Sequence, residues 1–103
     1  MNKSPEFEEV LQELLAFRDS KNWKQYHTLE NLTKSVSIES AEMLEHFQWT
    51  STSNLTDKEK DAYKLEVADV LTYIYYICNE LDVAPNELVQ KKLEINKHRS
   101  WSI

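Results

Sequence analysis

Phe7, Val10, Leu11, Leu14 and Phe17 return at intervals of three and four residues. That is the spacing of one face of an α-helix, and it predicts a first helix ending near Asn22. Ser4, Pro5 and Glu6 read as its start. They supply a capping hydroxyl, a proline whose missing N–H is harmless in the first turn, and an acid that complements the helix dipole. The polar stretch "NWKQYHT" breaks the period and reads as a loop. Thr28 is placed to cap a second helix, predicted to run to about Trp49. "TSTSN" ends it, and Thr56 with Glu59 three residues on forms a capping box for a third, periodic to about Leu81. Pro85 opens a fourth, predicted to reach about Arg99. No repeat or low-complexity tract interrupts these four helices.

One face of the second helix does not fit a simple core. Projected at about 100° per residue, Ser35, Glu39, Glu42, His46 and Trp49 share a narrow arc. Beside it lies the apolar arc of Leu29, Leu32, Val36, Met43 and Phe47. The third helix repeats the arrangement, with Ala62, Glu66, Asp69, Tyr73, Tyr76 and Glu80 flanking Tyr63, Val67, Val70, Leu71, Ile74 and Ile77. Packed antiparallel, the two shoulders bring Glu39, Glu42, Glu66 and Asp69 together at the edge of a low-dielectric core. Four ionised carboxylates there repel one another and lose hydration. A hard divalent cation offsets both costs, and Mg²⁺ takes oxygen ligands while retaining waters and substrate phosphates. Alternatively the acids stand solvated on the helix flanks and pair with Lys or Arg of a neighbouring helix. Spacing alone leaves both open.

Composition narrows the class. The 103 residues suffice for one domain, residues 1–103, around one core. A 41% hydrophobic and 29% charged chain is of ordinary soluble globular type. Glycine is absent, which argues against tight hairpins and for an all-α fold with polar loops. Eighteen acidic against 12 basic residues give a net charge of −6, which speaks against a nucleic-acid polymer or a membrane surface as partner. A small anion held through a divalent cation stays compatible, because the cation inverts the local field. The single cysteine, Cys78, excludes an intramolecular disulfide, and no apolar run is long enough for a signal peptide or membrane span. A reducing, cytoplasmic setting is expected.

With these residues in view, "NWKQYH", "SIESAEMLEHFQW" and "LEVADVLTYIYYI" resemble the all-α nucleoside triphosphate pyrophosphohydrolases of the MazG-like superfamily, and most of all its small dCTP pyrophosphatase-type branch. The family signature, Glu-x-x-Glu, a gap, then Glu-x-x-Asp, matches Glu39-Ser-Ala-Glu42 and Glu66-Val-Ala-Asp69, 23 residues apart. The Trp-x-x-x-His loop and the tail "KLEINKHR" extend the likeness from about Phe17 to Arg99.

The resemblance implies a four-helix MazG-like bundle completed by oligomerisation, as a homodimer or tetramer. It implies hydrolysis of a (deoxy)nucleoside triphosphate such as dCTP to the monophosphate and pyrophosphate, with Mg²⁺ required and Mn²⁺ a possible substitute. Glu39, Glu42, Glu66 and Asp69 would be the metal ligands or, for one of them, the base that orients the attacking water. Metals that bridge phosphates and lower the pKa of water supply most of such catalysis, and no side-chain nucleophile is needed.

Substrate contacts follow in the same way. Trp23 and His27 lie in the loop where the family places base recognition. An aromatic face there stacks a base for about 1–3 kcal/mol, although Trp23 is also a natural loop anchor. Trp49 either walls the same pocket or closes the helix end onto the core. Tyr73, one turn beyond Asp69, is placed to touch phosphate or sugar, or to serve as a core tyrosine. Lys92, Asn96 and Arg99 share a face, as a solvated helix flank would, and match the family's C-terminal Lys…Asn…Arg pattern, which by the resemblance would bring positive charge to the triphosphate. His46 shares the acid stripe, where a lone histidine is more often an outer or structural residue than a ligand. The chain departs from the family after Arg99, with Ser100-Trp101 in place of Tyr-Pro.

Two rival readings stand beside the hydrolase. A di-iron carboxylate bundle needs Glu-x-x-His, and Lys24, Met43 and Ile95 stand three residues before the histidines, so it is excluded. A non-catalytic helical dimerisation or adaptor module remains the alternative. It separates from the hydrolase in tolerating loss of the acids.

Overall fold

A computed structural model describes residues 6–99. Among these it contains four α-helices and no strand: α1 (Phe7–Ser20), α2 (Leu29–Glu45), α3 (Asp57–Leu81) and α4 (Pro85–Lys97). Single 3₁₀ turns at Lys24–Tyr26 and Thr52–Asn54 occupy the first two joints. The expected start signal at Ser4 and Pro5 lies outside the described residues. Two caps form as the sequence predicts. Thr28 Oγ1 accepts from the Asn31 amide and Thr56 Oγ1 from the Glu59 amide, both at 3.1 Å.

The second helix is shorter than its pattern predicts. It ends at Glu45 rather than Trp49, because His46, Phe47 and Gln48 bond back only three residues, to Met43, Leu44 and Glu45. That tightens the last turn. Aromatic, Ser and Thr residues follow, which lose rotamer freedom in a helix or compete with its backbone bonds. The fourth helix likewise closes at Lys97, with His98 and Arg99 bonding three residues back.

The absence of glycine shows at two joints. Asn22 (φ 58°) and Asp82 (φ 55°) adopt the left-handed conformation that glycine usually takes after a helix. At the first joint the Trp23 amide reaches the Arg18 carbonyl and the Asn22 amide reaches Asp19. At the second, Val83 reaches Cys78 and Asp82 reaches Asn79. Both are six-to-one and five-to-two closures. The conformation costs a residue with a Cβ about 1 kcal/mol, and short polar side chains visit it most readily.

At 1.5 Å per residue α3 is about 37 Å long, and each other helix packs against it, α2 most extensively. Leu11, Leu32, Tyr76 and Cys78 are buried. The Tyr76 hydroxyl donates to the Leu14 carbonyl at 3.0 Å, and Phe7 meets Tyr75 edge-on at 4.8 Å, which together fasten α1 to α3.

Much apolar surface stays outside this small core. Ile38, Leu44, Leu65 and Trp49 are 62, 73, 70 and 89% exposed. The radius of gyration is 16.5 Å, against about 13 Å for a compact domain of this length. The accessible surface is 8562 Å², against about 6,100 Å² for a compact monomer of this mass. Among the described residues, no helix is long and apolar enough to cross a membrane.

Candidate active site

The two acid pairs meet. Glu39 and Glu42 lie one turn apart on α2, Glu66 and Asp69 one turn apart on α3, and the packing of these helices sets the pairs face to face. One carboxylate oxygen from each residue lies within 4.8 Å of all the others. Glu39, Glu42 and Glu66 are half-buried and Asp69 is exposed. Burial raises the Glu39 carboxyl above the ordinary range, with repulsion from Glu42 next and then from Asp69 and Glu66. Burial also raises Glu66, followed by Glu42, while His46 draws it back down. Glu66 Oε2 is buried and without a hydrogen-bond partner. An all-oxygen set of four carboxylates, crowded, resisting ionisation and with one oxygen orphaned, fits a hard divalent cation.

An aromatic cavity of about 240 Å³ adjoins the acids and shares two of them. Glu39, Asp69 and Thr72 form one part of its wall, and Leu14, Phe17, Trp23, His27, Tyr73 and Tyr76 the rest. Phe17 and Trp23 meet edge-on at 5.5 Å, as do His27 and Tyr76 at 4.5 Å. A second, wider cleft of about 420 Å³ shares Trp23, His27 and Tyr73 and adds Tyr26, Asn31, Lys34 and Ser35. The Trp-x-x-x-His loop is therefore a partition between two hollows, stiffened by its 3₁₀ turn.

The partition is electrically tuned. Burial lowers His27 below the ordinary imidazole value, and the buried Arg18 guanidinium lowers it further, against Glu80 and Asp19. The neutral ring is favoured. Burial likewise raises the Tyr76 phenol, keeping its proton on the hydroxyl that bonds Leu14.

Of the residues singled out in the sequence, Glu39, Asp69, Trp23, His27 and Tyr73 share one cavity. Glu42 and Glu66 complete the carboxylate cluster beside it. Trp49 is not on this wall: with α2 ending at Glu45 it stands beyond the helix, 89% exposed. Lys92, Asn96 and Arg99 also lie apart from the wall. Lys92 and Asn96 are on α4 and Arg99 just past it, with Lys92 and Arg99 exposed and Asn96 half-buried. The structure adds Leu14, Phe17, Thr72 and Tyr76. Tyr76 already stood on the acid stripe of α3, so its signal was present. Leu14 and Phe17 come from α1, whose approach to α3 is not written in the spacing of either helix.

Comparison with known proteins gives a consistent picture. The profile of the MazG-like family matches residues 34–102. The chain is 28% identical over 100 aligned positions to mouse (Mus musculus) dCTP pyrophosphatase 1 and 27% identical to the human (Homo sapiens) protein. Each match covers 92% of this chain. The chain spans 59% of the length of these curated relatives. The crystal structure of a pyrophosphatase from Archaeoglobus fulgidus superposes with a TM-score of 0.82 at 40% identity, covering 97% of this chain and 98% of that one.

Proposed function

The chain belongs to the MazG-like family, and from that premise we propose that it hydrolyses (deoxy)nucleoside triphosphates to the monophosphate and pyrophosphate, with Mg²⁺ as the cofactor. The observation that carries this reading is the placing of four carboxylate oxygens within 4.8 Å of one another against an aromatic cavity that shares Glu39 and Asp69. A nucleotide has the same two-part chemistry, an anionic chain joined to a flat base.

Glu39, Glu42, Glu66 and Asp69 hold the cation, which supplies charge neutralisation for the phosphates and acidifies water. Trp23, His27, Tyr73 and Phe17 receive the base and sugar, and stacking on a rigid aromatic wall fixes the α-phosphate toward the carboxylates. One of the four carboxylates would orient the attacking water and take its proton. Lys92, Asn96 and Arg99 bring donors to the triphosphate chain. A pyrimidine such as dCTP is the favoured base, in keeping with the relatives named for that activity.

The pocket is completed by a second copy. The support is the excess of accessible surface, the apolar side chains left outside the core and the exposed indole of Trp49, available to close over a neighbour's cavity. The direct test is pyrophosphate release from a panel of dNTPs and NTPs, with Mg²⁺ and with EDTA, beside Asp69→Asn. Release that needs Mg²⁺ and disappears in the variant supports the reading, and the panel names the base. No cleavage by the folded wild type would overturn it.

A further inference from the structure

His46 lies outside the carboxylate quartet and is the first residue past α2. Its Nε2 faces Glu66 Oε1 at 3.7 Å, with the two side chains only 21% and 26% exposed. That separation is just beyond hydrogen-bond length, and a small shift of either side chain closes it. The ring is held from behind: Tyr63, one turn before Glu66 on α3, meets His46 edge-on at 5.7 Å and Phe47 edge-on at 5.5 Å. The early end of α2 places both His46 and Phe47 in the tightened turn that meets Tyr63. Glu66 thus has one oxygen turned to an imidazole and the other, Oε2, buried with no partner.

We propose that His46 is a positioning residue for Glu66: by engaging Oε1 from a ring wedged on Tyr63, it fixes the carboxylate so that Oε2 is presented to the cation. The proposal rests on the metal reading of the acid cluster. Its physical basis is general, because a ligating carboxylate is itself held by a hydrogen-bonded outer partner, and loss of that partner weakens metal affinity 10- to 100-fold. The same contact removes a rotamer choice, so the carboxylate is ordered before the metal arrives rather than by it.

The test separates the donor from the ring. His46→Gln keeps a donor and loses the aromatic edge, whereas His46→Phe keeps the edge and loses the donor. Mn²⁺ is titrated calorimetrically into the EDTA-stripped, dialysed full chain with no nucleotide present, and thermal unfolding is followed in EDTA. His46→Phe is expected to unfold with the wild type yet bind Mn²⁺ at least tenfold more weakly, and His46→Gln to stay within about threefold of wild type. In a Glu66→Gln background the His46 substitution should change Mn²⁺ affinity no further. Should His46→Phe fail to fold, His46→Met takes its place.

Undiminished Mn²⁺ binding by the donor-less variant overturns the proposal alone. A wild type that binds no Mn²⁺ overturns it together with the metal reading. Weakened binding in a chain that cleaves no nucleotide upholds His46 and removes only the proposed activity.

Discussion

The Tyr76 hydroxyl donates to the Leu14 carbonyl at 3.0 Å, joining residues 62 apart in sequence across the α1–α3 contact. Tyr76 is 4% exposed and its ring also backs His27, so one side chain ties the fold to the cavity wall. Tyr76→Phe removes only the oxygen. It should lower stability by about 1 kcal/mol, read as a lower urea midpoint at unchanged slope. An unchanged midpoint would mean the bond carries no net stability.

Neutralising the acids should affect fold and activity in opposite directions. Glu39→Gln and Asp69→Asn leave a less repulsive cluster, so the unfolding midpoint in EDTA should hold or rise. Mg²⁺-dependent pyrophosphate release should fall at least about a hundredfold, since loss of an outer partner alone weakens a metal site 10- to 100-fold. Retained activity would return the acids to solvated flank residues and favour the adaptor reading.

Stability of the metal-free chain should carry two pH signatures of opposite sign. The carboxyls of Glu39 and Glu66 are raised in the folded state, so the native chain binds their protons more tightly than the unfolded one. Their contribution is present below the ordinary carboxylate value of about 4.3 and is lost as pH rises through the raised values. His27 is lowered, so its contribution is present above about 6.5 and is lost as pH falls through its folded value. Urea titrations in EDTA across this range resolve the two. Glu39→Gln should flatten the acidic limb and His27→Gln the limb just below 6.5. Excess Mg²⁺ should reverse the carboxylate trend, because cation and proton compete for the same oxygens.

Leu44 and Leu65 are 73% and 70% exposed, and the proposed second copy would cover them. Sedimentation of the wild type should give a multiple of the 12.2 kDa chain mass, and Leu44→Lys with Leu65→Lys should shift it toward one chain with loss of nucleotide cleavage. A monomeric, active wild type would refute the shared pocket.

The sequence disclosed the helices and the acid quartet for a common reason: both are set by spacing along a single element. Thr28, Thr56 and Pro85 marked true helix starts, and Glu39, Glu42, Glu66 and Asp69 needed only two periodic stripes and an antiparallel packing. Hydrophobic period carries α2 past Glu45 to Trp49, because a helix end depends on the balance of weak backbone bonds, which that period does not report. The period of α1 does not mark Phe17 and Leu14 as cavity residues, since their role follows from how α1 lies on α3. Arg18, a charged side chain only 5% exposed, gave no sign in the sequence of its place beside His27.

The dependence of every helix on α3 grades the molecule from rigid to loose. The carboxylates sit where α2 and α3 are most extensively joined, whereas α4 rests on α3 without one enclosed side chain of its own. Backbone amides of α4 should therefore exchange with solvent deuterium well before those around Glu39 and Glu66, through an opening that leaves the acid cluster intact. The chain carries its anionic centre on a fixed anvil and Lys92 and Asn96 on an arm. On the proposed reading, a ligand that reached both would bind more tightly once a second copy held that arm down.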